Sequence, residues 1–214
     1  MAIEWFRQPT WSPQTEAEFF ARLAKSRGAF QKAQYLRIQA HCLQTEGGAA
    51  DLPVAVRLLE MLVRDYPDES QLALALKQLA ECLDRMNKPD QALAAYEQSF
   101  EAMRAHPGVY GNQAQSYGMF CAKRKLVAEY DKVLRRLSDE EHTIAFPLQR
   151  YNENAIKALI FDSRKKFNEA RAFAKAAIEA SGADHSGFHR HAKLGLVEHV
   201  DEEIHDALKR IAKQ

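Results

Sequence analysis

Residues 71–100 read QLALALKQLAECLDRMNKPDQALAAYEQSF, and the break in their middle decides the fold. Leu72, Leu76, Leu79, Leu83 and Met86 recur at steps of three and four, which marks one apolar face of a helix. Asn87-Lys88-Pro89-Asp90 interrupts that pattern. Proline cannot continue a preceding helix, but it is well tolerated in the first turn of the next one. Ala92, Tyr96, Ser99, Phe100 and Met103 then resume the helical period until Pro107-Gly108 stops it. The stretch predicts two antiparallel helices joined by a tight turn.

Hairpins of about 34 residues invite a search for copies at that period. Ala80 and Ala92 are twelve positions apart, Leu79 precedes the first, and Tyr96 follows on the second helix. In these features the stretch resembles the tetratricopeptide repeat (TPR), in which a small residue on the first helix packs against another twelve positions later. A second copy runs through AIKALIFDSRKKFNEARAFAKAAIEAS, with Ala158 and Ala170 again twelve apart and Phe161, Ala174, Ala177 and Ile178 at packing positions. An earlier copy pairs Ala40 with Ala55, across a TEGGAAD turn about three residues longer than the repeat allows, and closes on Pro67. A poorer copy places Gly118 as the small residue, shortens its turn at Lys123 to Lys125, and carries Leu126, Tyr130, Val133 and Leu134 on its second helix.

Small residues let two helices approach closely, and stacked pairs bury a continuous core. The expected fold is therefore all-α: one domain over 1–214, a short α-solenoid of about four TPR-like hairpins within 29–181. Residues 1–28 form an N-terminal cap with a helix near Thr15 to Ser26, and 182–214 a C-terminal cap with a helical pair near Ser186 to Lys213. Trp5, Phe6, Trp11, Phe19 and Phe20 are expected to dock on the first hairpin or to form a self-association patch.

Lys plus Arg number 30 against 29 Asp plus Glu, a balance that argues against nucleic acid, whose phosphates call for a basic excess. No apolar run approaches the roughly 20 residues of a membrane-spanning helix. The start has no basic region leading into an apolar run, so no signal peptide is expected. Cys42, Cys82 and Cys121 are far apart, form no CxxC pair, and read as buried small hydrophobes in a reducing cytoplasm.

The chemistry-bearing residues gather in SGADHSGFHRHAKLGLVEH, residues 181–199. His185 and His189 have the HxxxH spacing that places two imidazoles on one helical face for a metal. The zinc-hydrolase pattern wants glutamate after the first histidine, and Ser186 stands there. His189 and His191 would point to different sides of a helix, while His199 and Glu203 are four apart. The main expectation is a lid over the last hairpin with its histidines outward and solvated; a binding surface that grows more basic below about pH 6.5 is the alternative. Phosphate loops are missing, and the acidic runs SDEEHT and HVDEEIHD read as helix caps. No cofactor, metal or catalytic residue is assigned.

The resemblance implies a groove lined by the first helix of each pair and filled by a protein or peptide. Carried over position by position, that groove comprises Gln34, Arg37 and His41, then Lys77, Glu81, Asp84 and Arg85. Asn112, Gln115 and Lys123 follow from the third copy, and Asn152, Ala155 and Asp162 from the fourth. Chaperone-binding members clamp a terminal carboxylate with lysines and asparagines, and Glu81 occupies an asparagine position, so that ligand is not expected. The expected function is a non-catalytic scaffold or adaptor. An immunity protein that neutralises a toxin by direct binding is one alternative, and a metal-dependent hydrolase built on the C-terminal histidines is the other.

Overall fold

Residues 4–108, 111–140 and 145–214 of the computed structural model are described here, and among them are α-helices, short 3-10 turns and loops but no strand. The all-α expectation holds. The chain divides into two compact units, Met1–Gln113 and Ala114–Gln214. No helix among the described residues is long and apolar enough to cross a membrane.

The first unit holds α1 (Pro13–Lys25), α2 (Ala29–Thr45), α3 (Leu52–Asp65), α4 (Glu69–Arg85) and α5 (Pro89–Ala105). Ser12 caps α1 by accepting the Thr15 N–H at 3.1 Å, and Pro13 follows at the first helical position. The long turn between α2 and α3 closes on itself: a 3-10 turn over Ala49–Asp51 brings the Asp51 carboxylate to the Gly48 N–H at 3.0 Å. Asp68 caps α4 through the Ser70 N–H. Ala40, Ala55, Ala80 and Ala92 are wholly buried, as close helix packing requires. Phe100 and Tyr96 fill the space beside α4, and the buried Ser99 hydroxyl donates to the Ala73 carbonyl at 2.7 Å.

The aromatic start docks on this unit. Trp5 lies 4.8 Å from Tyr35 and 5.4 Å from Phe19, centroid to centroid, and Phe6 lies 4.7 Å from Tyr35. Trp11 donates to Glu16, which also accepts two hydrogen bonds from Arg57 on α3. These three bonds hold the Glu16 carboxyl below its ordinary range, Arg57 contributing most.

The second unit holds α6 (Gln113–Arg124), α7 (Tyr130–Glu140), α8 (Pro147–Ser163), α9 (Phe167–Ser181) and α10 (Glu202–Ile211), with a 3-10 turn over Val127–Glu129 ahead of α7. A Cβ at Gly118 would stand 3.0 Å from Val133 and 3.1 Å from Ile156, so the bare backbone is what admits α7 and α8. Ala158 and Ala170 are wholly buried between α8 and α9. The apolar side of α10 (Ile204, Leu208, Ile211) packs into the same cluster as Tyr151, Ala155 and Ala174.

Three turns share one geometry. Asn87, Lys125 and Lys165 adopt left-handed backbone at φ 57°, 55° and 58°. The next N–H then reaches back five residues, from Lys88 to Leu83, Leu126 to Cys121 and Lys166 to Phe161, each at 2.9 Å. This is the Schellman closure, which satisfies helix-end carbonyls.

The C-terminal expectation needs correction. Residues 182–201 are not helical, and only α10 follows them, where a pair was expected. Gly187 at φ +91° and Gly195 at φ +68° lie in conformations incompatible with a right-handed helix. The HxxxH spacing therefore does not bring His185 and His189 onto one helical face.

Candidate partner-binding site

The expected groove residues fall into two groups, one on α2 and α4 and the other from Asn112 onward. In the first unit, α2 and α4 run side by side and present Gln34, Arg37, His41, Lys77, Glu81, Asp84 and Arg85. Long-range hydrogen bonds knit the two helices along this face. Arg37 Nε donates to Gln71 Oε1 at 2.8 Å, and Gln78 Nε2 donates to the Arg37 carbonyl at 3.4 Å. Farther along, Gln44 Nε2 donates to Glu81 Oε2 at 3.4 Å, and the Arg85 guanidinium donates to the Gln44 carbonyl. Lys77 pairs with Glu81 at 3.3 Å, one turn away on the same helix. His41 is exposed at the edge, and Gln34 is half-buried.

Arg37 differs from its neighbours. Burial lowers the basicity of its guanidinium, because desolvation disfavours the charged form. No carboxylate among the described residues forms an ion pair with it. Its side-chain hydrogen bond among the described residues goes to a neutral amide, Gln71.

The second group is differently arranged. Asn112 sits in left-handed backbone at φ 55°, ahead of α6. Gln115 is buried and donates to the Gln149 carbonyl at 3.1 Å, fastening α6 to α8. Lys123 pairs with Asp201 at 2.7 Å, the residue that also caps α10 through the Ile204 N–H. Asn152 and Asp162 are half-buried on α8, while Ala155 is covered. Lys123 and Asp162 line an open cavity of about 470 Å³ with Tyr130, Ile204 and Arg210.

Among the described residues no group of three His, Cys, Asp or Glu stands close enough to hold a metal ion. His185, His189, His191 and His199 are exposed, and His205 is half-buried beside Tyr151. The SDEEHT run lies partly outside the described residues. Cys42, Cys82 and Cys121 are free and buried.

Sequence reading missed the amides. Gln39, Gln44, Gln71 and Gln78 are all buried, and each bonds across segments far apart in the chain. Their signal was visible as glutamine at otherwise apolar helical positions, where a buried amide demands a partner. No family model matches this chain, and neither curated proteins nor solved structures give a match.

Proposed function

We propose that this protein is a non-catalytic, cytoplasmic scaffold or adaptor of TPR-like hairpins that binds a protein or peptide on the face shared by α2 and α4. Arg37 carries the reading. A desolvated guanidinium oriented by Gln71, with no carboxylate paired to it among the described residues, suits an anionic group on the partner. The fixed neighbours reduce the ordering cost of binding, because α2 and α4 are cross-linked before a partner arrives. Lys77 and Glu81, half-buried on the same face, offer charges of both signs for partner selection.

The test is site-specific photo-crosslinking from position 34 in cells, with the adduct identified by mass spectrometry. Wild-type protein should give one dominant partner peptide containing an aspartate, a glutamate or a free carboxyl terminus. Arg37→Glu should abolish that adduct while leaving helical circular dichroism unchanged. An adduct that persists in Arg37→Glu would move the binding surface elsewhere.

A further inference from the structure

Residues 4–8 form a small folded unit of their own. The Arg7 N–H closes a turn onto the Glu4 carbonyl at 2.9 Å, and the Gln8 side chain donates to the same carbonyl at 3.0 Å. Trp5 and Phe6 stand at the corners of that turn, edge to face at 5.4 Å between centroids. Arg7 Nε reaches Glu4 Oε2 at 2.7 Å, so the charges of the segment are paired within it. Its hold on the helices is slight by comparison. Among the described residues, the hydrogen bonds from 4–8 to the rest of the unit both involve Gln39, which is wholly buried on α2 and takes the N–H and the carbonyl of Gln8. The Trp5 ring meets Phe19 and Tyr35, the Phe6 ring meets Tyr35, and both Trp5 and Phe6 stay half-buried. An open cavity of about 290 Å³ remains between the segment and α1, lined by Trp5, Gln8, Thr15, Phe19 and Arg22 among others. The segment fills its seat incompletely.

The start of α1 does not depend on that seat being taken. Ser12 caps the helix locally, and Trp11 is fastened to Glu16 at 2.7 Å. Pro9, which has no N–H to bond, lies between the clamped Gln8 and the anchored Trp11. The segment can therefore swing away at Pro9 and Thr10 without unwinding a turn of α1. Gln39 behaves oppositely. Once uncovered, its amide loses both backbone partners, and a buried amide without partners is costly. The seat calls for a backbone, whichever chain supplies it.

We propose that residues 4–8 are a latch over a second binding site, and that its partner is a protein segment carrying two adjacent aromatics at a turn. The latch itself displays the chemistry. Gln39 reads only main chain, as strand-adding peptide sites do, while Tyr35 and Phe19 select aromatic rings. The Gln8 side chain folds back on Glu4, so the clamped position carries no specificity. Charge does not choose the occupant, because Glu18 and Arg22 flank the cavity with opposite signs. The cavity offers a partner contacts that the latch does not make, and release of the latch is the switch that opens the site.

Arg37 has no part in this seat: it turns to Gln71 on α4, while Gln39 turns to Gln8. The probe is an unlabelled peptide of residues 4–12 with Glu4→Gln, blocked at both ends so that it carries no carboxylate for Arg37. Calorimetric titration compares the full wild-type chain with the full-length latch variant Trp5→Ser/Phe6→Ser/Gln8→Pro. The variant should bind the probe, and wild type at least about tenfold more weakly, because the tethered latch competes. Adding Gln39→Leu should abolish binding, and adding Arg37→Ala should leave it unchanged. Hydrogen exchange of the wild-type chain is the second measurement: the Gln8 N–H should be protected at least about a hundredfold less than the Leu43 N–H of α2. No binding by a latch variant with unaltered circular dichroism overturns the proposal. So does equal binding by wild type, binding indifferent to Gln39→Leu, or binding lost with Arg37→Ala. Gln8 protection equal to that of Leu43 makes the segment a fixed part of the fold and overturns it as well. A wild-type dimer in light scattering that Gln39→Leu dissolves seats a second copy in the cradle, and that too overturns it.

Discussion

Gln39 holds Gln8 by both ends of its side-chain amide: Oε1 accepts the Gln8 N–H at 3.0 Å and Nε2 donates to the Gln8 carbonyl at 2.7 Å. One buried glutamine thus acts as a strand edge for an extended segment 31 residues away. Gln39→Leu keeps the bulk but leaves both backbone groups without partners, at a cost of about 1–3 kcal/mol. The urea midpoint should fall accordingly. Tryptophan emission should shift to the red as Trp5 leaves Tyr35, and unchanged emission would show that the aromatics hold the segment unaided.

Gly118 is a second point of leverage, because its neighbours are the side chains of two different helices. Gly118→Leu should cost more than the 1–3 kcal/mol typical of overpacking, since Val133 and Ile156 would both have to move. Gly118→Ala asks for a shift of only tenths of an ångström at methyl groups and should be far milder. Equal losses of thermal stability in the two variants would contradict the close approach.

Asp201 gives a pH signature. The hydrogen bond from Lys123 holds its carboxyl below the ordinary range, burial opposes that, and the Ile204 N–H adds to it. A depressed folded pKa means that the contribution is present above the unfolded value near 3.9 and is lost as pH falls through the folded one. Asp201→Ala should cost about 1 kcal/mol at pH 6, mainly as a lost helix cap. The pair with Lys123 adds little because both side chains are partly exposed. The gap between variant and wild type should narrow as pH is lowered below about 3.9, measured by denaturant titration. A gap constant with pH would remove the carboxylate from the account.

Burial pushes the Cys82 thiol up to about 12 and raises that of Cys42. At pH 8 only about one Cys82 in ten thousand carries the reactive thiolate. A disulfide reagent should therefore leave the native protein unlabelled and titrate three thiols in guanidinium. Rapid native labelling of even one would contradict the packing.

The hairpins were legible in the sequence because their information is local. Leu72, Leu76, Leu79 and Leu83 declare one face at fixed steps, and Asn87-Lys88-Pro89 marks where the helix must stop. What was not legible depends on distance along the chain. The link from Gln44 to Glu81 joins residues 37 apart, and nothing local to either names the other. The C-terminal stretch failed for a different reason. Its leucines and histidines can be fitted to a helical period, but Gly187 and Gly195 set the backbone, and Ser186 supplies bonds that a helix would have supplied itself. Arg37 and Gln115 both carried over from the repeat pattern as groove residues. One is bonded to a side-chain amide and the other is fastened to a backbone carbonyl, a difference that spacing does not encode.

The turns at Asn87, Lys125 and Lys165 bear on how the molecule is made. Each closes through groups five residues apart, and the small residues of the α4–α5 and α8–α9 hairpins are only twelve apart. Little loop entropy has to be lost before such contacts form, which favours rapid folding. During synthesis, a hairpin of this kind has most of what it needs once its second helix has left the ribosome, and it need not wait for the carboxyl end. The buried amides and the Ser186 loop join late, after the hairpins exist to be joined. Errors in them should slow maturation of an assembled chain, while errors at the turns should prevent its parts from forming.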